Sequence, residues 1–312
     1  MEQFLKYFYN IYVDNVYNKN GNYYFYKDNK LFCVLKNYRT EEELRDIYKI
    51  SNELLENNYP VSEIILNVYN VPISTFNNNG YILLKINCNT SADIDLNDIF
   101  KINQNLYLTK DMKKLYRNNW AELWEAKVDY FEYQIKELGR DKKIVLNSFS
   151  YYIGLAENAI SIVNNTILNY PNYNLDNIVL SHRRINYPNM EYEYYNPLNF
   201  IFDLEVRDVA EYIKSMFFYT DRKKTIKELN NYINKTNLNN YTANMLYARL
   251  LYPSYYFDVY EKVIEDLDDE SNLLDIINKV NEYELFLKDV YYALRDKYSI
   301  EMISWIINKK EL

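Results

Sequence analysis

The hydrophobic pattern of the chain changes its period once, near residue 90, and this change limits the folds that the chain can adopt. Residues 23–35 contain two short runs of Tyr, Phe, Val and Leu on either side of a polar turn at Asp28 and Asn29, which predicts a β-hairpin. A threonine N-cap, three glutamates and an apolar stripe predict a helix over residues 41–57. Further strand-like apolar runs follow at 61–68 and 81–86. This part of the sequence therefore predicts a small lobe of antiparallel strands with one helix.

In the rest of the chain the apolar residues recur with the period of a helix. Helices are predicted over residues 111–138 and 147–168, where the apolar side chains fall on one face. An irregular segment is predicted over 170–203, followed by mostly helical sequence over 206–312. Pro253 is expected to break one of these helices or to lie at its end, because proline lacks the amide hydrogen that a helix interior needs.

The two patterns divide the chain into a small β-rich lobe, residues 1–90, and a larger, mainly helical lobe, residues 91–312. Each part is long enough to bury a core of its own. We therefore predict an α+β fold with two lobes, in the arrangement that protein-kinase-like folds have.

Charge and hydropathy argue against two classes of function. A formal net charge of −8 does not suit a general nucleic-acid binder, which needs a basic face to displace counterions from phosphates. No apolar run reaches the ~20 residues that a membrane-spanning helix requires. The first residues lack the pattern of a secretory signal, so synthesis and folding in the cytosol are expected. Cys33 and Cys88 lie in apolar runs without metal-binding spacing and are expected to be reduced and buried.

The segment 180–212 contains the residues with a recognisable chemical pattern. Asn189 lies seven residues after His182, and Asp203 follows three apolar residues. This order resembles the catalytic core of kinase-like phosphotransferases, in which an Asp two residues after the His orients the attacking hydroxyl and the later Asn and Asp hold Mg²⁺. Arg184 occupies the position of that first Asp. A guanidinium accepts no proton, so a degenerate loop is predicted that lacks the ~10²–10⁴-fold contribution of proton transfer.

Two residues of the predicted small lobe are candidates for nucleotide binding. Lys36, at the end of a strand-like run, and Glu53, in the following helix, have the order of the lysine and glutamate that position nucleotide phosphates in kinases. The preceding loop contains Gly21 alone, so the sequence has no glycine-rich loop to bind the phosphates.

The residues after Asp203 are expected to serve structure. Arg207 and Asp208 follow it so closely that little loop remains to hold a substrate. Asp208 is expected to cap free amides at a helix start and to pair with Arg184 or Arg207. For Arg184 we predict a salt bridge to Asp203 across the metal position.

Several longer stretches are similar to the spore-coat-associated family of the CotS and YutH type, which belongs to the aminoglycoside phosphotransferase and choline kinase-like superfamily. These stretches are residues 120–129, 148–160, 182–184, 207–213 and 248–253. The resemblance covers about residues 23–290 and is closer to the YutH-like branch. It implies a bilobal kinase-like fold, a role in sporulation, partners among spore-coat or other sporulation proteins, and a location in the spore coat.

Three functions remain open. The first is a pseudokinase that acts as a structural or interaction component of the spore, with no residue assigned to catalysis. The second is an active ATP-dependent phosphotransferase, acting on a small molecule or a coat protein, in which Asp203 or Asp208 has taken a new role. The third is a non-catalytic nucleotide-binding switch that depends on Lys36, Glu53 and Asp203. ATP and Mg²⁺ are the cofactors that the second function requires, and the third requires nucleotide.

Overall fold

The computed structural model describes residues 1–87, 94–103, 110–171, 178–188 and 190–310. A β-rich lobe comes first and a helical lobe follows, which confirms the predicted α+β class. The boundary predicted between residues 90 and 91 lies outside the described residues, and so does Cys88. Cys33 is buried, and burial raises the pKa of its thiol to about 12.

The N-terminal lobe is built on an antiparallel sheet in the order β1-β2-β3-β6-β4, with β5 paired to β6. Its strands are β1 (Tyr17–Lys19), β2 (Asn22–Lys27), β3 (Lys30–Lys36), β4 (Glu63–Ile65), β5 (Ser74–Phe76) and β6 (Asn79–Lys85). The predicted hairpin is β2–β3, in which Lys27 pairs with Lys30. Asp28 and Asn29 have φ angles of 50° and 58°, which is the left-handed pair of a type I′ turn.

Two helices pack on this sheet. Helix α2 (Glu41–Glu56) agrees with the predicted helix and begins with a capping box between Thr40 and Glu43. Helix α1 (Glu2–Tyr9) had no sequence-based prediction. It is held by Phe4 and Leu5, which are buried in a separate apolar cluster with residues of β2, β3 and β6.

The C-terminal lobe is helical around one short hairpin. Its helices are α3 (Leu96–Asn103), α4 (Trp120–Leu138), α5 (Lys143–Asn169), α6 (Glu191–Tyr194), α7 (Val206–Tyr219), α8 (Arg222–Lys235), α9 (Asn240–Leu251), α10 (Ser254–Ile264), α11 (Leu274–Ile277), α12 (Val280–Arg295) and α13 (Ser304–Ile307). Helix α9 is buried along its length and packs on α5 and α7. Pro253 separates α9 from α10 as expected. None of the described helices combines the length and apolar character that a membrane span requires.

Two sequence predictions for this lobe were wrong. The helix predicted over 111–138 begins only at Trp120, because Tyr116 forms a β-bridge with Phe202 and Arg117 N–H donates to the Phe202 carbonyl. The irregular segment predicted over 170–203 contains the antiparallel strands β7 (Ile178–His182) and β8 (Phe200–Leu204). Both strands are buried on both faces, so their sequences lack the alternation that identifies a half-exposed strand.

Candidate functional site

The hairpin β7–β8 and the first turn of α7 bring the motif residues together. His182 ends β7 and pairs with Phe200 at the start of β8. Asp203 lies near the end of β8, and α7 begins three residues later. The side chains at the start of α7 therefore face the end of β7 and the carboxylate of Asp203.

Asp203 is completely buried, and its carboxylate accepts hydrogen bonds from three groups. The Trp120 indole N–H lies 3.0 and 3.1 Å from its two oxygens, and the Leu204 amide donates to Oδ1 at 2.7 Å. Arg207 Nη1 donates to Oδ2 at 2.5 Å. Burial raises the pKa of the Asp203 carboxyl, while the nearby charges of Arg207 and Arg249 oppose that rise.

Arg207 forms the centre of this arrangement. Besides Asp203, its guanidinium binds two backbone carbonyls at the end of β7 and just after it, His182 O at 2.9 Å and Arg183 O at 3.2 Å. A single side chain thus neutralises the buried carboxylate and fixes the loop after β7.

The described residues do not fit a magnesium site. A bound Mg²⁺ needs oxygen ligands that are free to coordinate it, and the oxygens of Asp203 already accept from three donor groups. Asn189, the other predicted ligand, lies outside the described residues. Within the described ranges no group of three His, Cys, Asp or Glu side chains is placed to hold a metal ion.

Arg184 does not form the predicted salt bridge with Asp203. Its guanidinium pairs with Asp258 of α10, and its side chain is 57 % exposed. The hydrogen bond with Asp258 raises the pKa of the Arg184 guanidinium. The prediction was wrong because Arg207, four residues after Asp203 and on the adjoining helix turn, already occupies that carboxylate.

Asp208 also differs from its predicted role. It does not cap α7 or pair with an arginine: Asp208 Oδ1 accepts from the His182 amide at 3.0 Å, and Oδ2 lies 2.7 Å from His182 Nδ1. The other ring nitrogen, Nε2, lies 2.9 Å from the Tyr194 carbonyl oxygen. Both side chains are buried, so the histidine is held on both edges within the interior of the lobe.

Lys36 and Glu53 are both exposed and are not brought together as a pair. Lys36 Nζ lies 5.9 Å from the centre of the Tyr38 ring, and Glu53 faces outward from α2. A buried ion pair between the segment after β3 and helix α2 does exist in the described part of the chain. Its partners are Arg39 and Glu43, 3.3 Å apart. The assignment of Lys36 and Glu53 to nucleotide binding remains a prediction.

Arg39 was missed in the sequence and joins the two lobes. Its guanidinium donates to the Leu198 carbonyl from Nε and Nη2 at 2.9 and 2.8 Å, and to the Phe200 carbonyl at 2.8 Å. Glu43 also accepts from Arg117 of the helical lobe at 2.7 Å. Burial lowers the pKa of Arg39 to about 10, and the charge of Arg183 adds to this effect. The available signal was the i,i+4 spacing of Arg39 and Glu43 around a capping box.

A cavity of about 610 Å³ opens beside the hairpin. We expected little room for a ligand because the loop after Asp203 is short. The space nevertheless exists, since its walls come from α4, α7, α9 and α10 together with residues 183–186. The short loop alone did not determine the size of the site.

Three charged residues of this cavity, the buried Lys214 and Arg249 and the partly buried Glu211, were not identified from the sequence. Glu211 Oε1 accepts from Arg249 Nε at 2.9 Å and from Lys214 Nζ at 3.4 Å. Burial opposes ionisation of Glu211, but Lys214 and Arg249 lower its pKa to about 2. Burial lowers the pKa of Lys214 to about 8, and the charge of Arg249 contributes to this. The signal that could have identified Arg249 is an arginine within the otherwise apolar stretch from Met245 to Leu251.

Comparison with known proteins connects this fold to a family. The model of the spore coat putative kinase YutH family matches residues 2–290. The endospore coat-associated protein YutH of Bacillus subtilis (strain 168) is 27 % identical over 300 residues, with 86 % of each chain covered.

Two solved structures of phosphotransferases have a similar fold. An aminoglycoside phosphotransferase of Alicyclobacillus acidocaldarius aligns with a TM-score of 0.63 at 8 % identity, covering 91 % of this chain and 93 % of that one. A spectinomycin phosphotransferase, solved with ADP and spectinomycin, aligns with a TM-score of 0.59 at 13 % identity, covering 94 % and 97 %. The match to the family model over most of the chain, together with this bilobal kinase-like fold, shows that the chain belongs to the spore coat putative kinase YutH family.

Proposed function

We propose that this protein is a pseudokinase that associates with the spore coat and acts by binding coat or other sporulation proteins instead of transferring phosphate. The observation that carries the proposal is the ion pair between Arg207 and the fully buried Asp203. The association with the coat rests on the family and on the relative described as endospore coat-associated.

The pairing of Asp203 opposes metal binding. To coordinate Mg²⁺, the carboxylate would have to release Arg207, and Arg207 would have to leave two backbone carbonyls as well. Mg²⁺ would compensate the carboxylate, but the guanidinium of Arg207, whose side chain is 13 % exposed, would be left without its partner, and a largely buried unpaired charge is costly. An active phosphotransferase would carry this cost in every cycle.

A general base is also lacking among the motif residues that the structure describes. Arg184 has no acceptor and pairs with Asp258. The carboxylate of Asp208, which the rival enzymatic function could use, is buried against His182. The exposure of Lys36 and Glu53 adds no support for an anchored nucleotide.

The proposal is tested on the purified full chain with ATP and MgCl₂. Isothermal titration should give no Mg²⁺-dependent binding of ATP, and an assay with γ-labelled ATP should give no transfer to water, to small hydroxylated or amino compounds, or to coat extract. Asp203→Ala is the matched control, because a contaminating kinase would leave the same activity in both preparations. Turnover in the parent chain that disappears in Asp203→Ala would refute the proposal.

A further inference from the structure

The cavity beside the hairpin has a charge opposite to that of the whole chain. The chain has a formal net charge of −8, yet seven basic residues and two acidic residues line the cavity. The basic residues are five arginines (Arg117, Arg183, Arg184, Arg207 and Arg249) and two lysines (Lys127 and Lys214). Glu211 and Asp258 are the acidic ones. A concave, cationic surface of this kind raises the local concentration of anions.

The carboxylates that pair with these cations do not balance them. Glu211 is shared between Lys214 and Arg249, and Glu43 is shared between Arg117 and Arg39, which lies behind the cavity. Lys127, Arg184 and Arg207 each have one carboxylate partner. Arg183 takes part in none of the ion pairs formed within the described ranges. Eight cations in this network therefore meet five carboxylates, an excess of three.

Part of the excess positive charge is buried, which increases its effect. The side chains of Lys214 and Arg249 are 3 % and 9 % exposed, and the Arg249 guanidinium lies 4.5 Å from the centre of the Trp120 ring. Burial and the charge of Arg207 lower the pKa of Arg249, as burial and Arg249 do for Lys214. Like charges held together out of water are costly, and an anion bound between them would relieve their repulsion.

The walls and the volume suit a small organic ion. About 610 Å³ falls within the roughly 300–1,000 Å³ of small-molecule sites. Trp124 and Tyr252 form an aromatic wall, stacked with their ring centres 4.2 Å apart. Arg183 and Arg184 are exposed and can each bind a phosphate or carboxylate group with two parallel hydrogen bonds.

All residues that line this cavity belong to the helical lobe, from Arg117 onward. Lys36 and Glu53, the candidates for nucleotide binding in the small lobe, are not among its lining residues. We propose that this cavity binds a small multivalent oxyanion, a phosphate ester or a polycarboxylate, without a metal ion. This inference goes beyond the pseudokinase function and does not depend on it.

The test is isothermal titration of the full chain with pyrophosphate and, separately, with citrate, each with EDTA present. We expect saturable binding of at least one probe at micromolar to low millimolar concentration, weakened by added NaCl because the contacts are ionic. The arm that binds more tightly identifies the ligand as a phosphate or a carboxylate compound.

Two exposed arginines allow the cavity to be altered without touching the core. Arg183→Gln combined with Arg184→Gln should weaken binding at least tenfold. Arg45→Gln changes an exposed arginine of α2 outside the cavity and should leave binding unchanged. Lys127→Gln provides a second variant of the cavity, on α4, and should also weaken binding. Absence of saturable binding by both probes, or equal affinity in the double variant and the parent, would overturn the proposal. Binding of ATP that strictly requires Mg²⁺, with neither probe bound, would overturn it too and would favour the kinase function.

Discussion

Replacement of Arg207 by methionine tests whether the Asp203 carboxylate depends on a guanidinium or is held ready for a metal ion. Methionine keeps much of the apolar volume of arginine but removes the charge and the donors. Asp203 would remain completely buried, with the Trp120 indole and the Leu204 amide as its donors.

The expected loss of stability follows from the contacts. Leaving a buried charge without its partner costs about 3–5 kcal/mol. The hydrogen bonds from Arg207 to the carbonyls of His182 and Arg183 are lost at the same time, at about 1 kcal/mol each. For a chain of this size such a change lowers Tm by about 6–15 °C.

Arg45→Met is the matched control. Glu41 and Arg45 have the same order and i,i+4 spacing as Asp203 and Arg207, but both side chains are more than 70 % exposed, so no measurable change is expected. Both variants are compared with the parent by urea unfolding and thermal melting. A loss in Arg207→Met no larger than in the control would refute the reasoning. Asp203→Leu combined with Arg207→Met should recover part of the loss, because it removes both charges.

Three further predictions concern other parts of the molecule. Arg39→Gln removes three hydrogen bonds to carbonyls of the helical lobe and should lower the free energy of unfolding by about 2–3 kcal/mol. It should also speed hydrogen exchange of the backbone amides where the lobes meet, and unchanged exchange would contradict this. The pKa of Glu211 is lowered to about 2 in the folded chain, so the ionised carboxylate stabilises the fold fully above pH 5. This contribution to the free energy of unfolding, up to about 3 kcal/mol, is lost as the pH falls towards 2. Urea unfolding at a series of pH values should show the loss, and Glu211→Gln should reduce it. Citrate binding at pH 8 should take up protons, because citrate is already fully ionised there and a bound anion raises the pKa of Lys214, which is about 8 among Arg249, Glu211 and Asp258. Titration in Tris and in HEPES measures the uptake, which Lys214→Met should abolish.

Local sequence patterns predicted the elements whose stability is local. The β2–β3 hairpin and α2 followed from turn residues, an N-cap and an apolar stripe, all of which act within a few residues. Helix α4 was predicted to start too early because the segment before it pairs with β8, far along the chain. Strands β7 and β8 were missed because complete burial removes the alternating pattern.

The candidate site was predictable in its residues but not in their partners. Sequence spacing identified Asp203, Arg184 and Arg207, yet it could not say which guanidinium reaches the carboxylate. That choice depends on the direction in which α7 leaves β8. The cationic cavity was beyond prediction for a similar reason, since its charges come from α4, α7, α9 and α10, which only the folded lobe brings together.

The three contacts of Arg207 also affect how such a chain could change over evolutionary time. Arg184 is exposed and has one partner, so substitutions there meet little structural resistance. Arg207 supports the backbone after β7 and the buried carboxylate at once, so its loss weakens the fold before any chemistry could be gained. If the proposed function holds, a return to phosphate transfer would need changes at both positions, and the change at Arg207 would pass through a less stable intermediate. On the proposed function, the buried arginine makes the loss of catalysis hard to reverse in single steps.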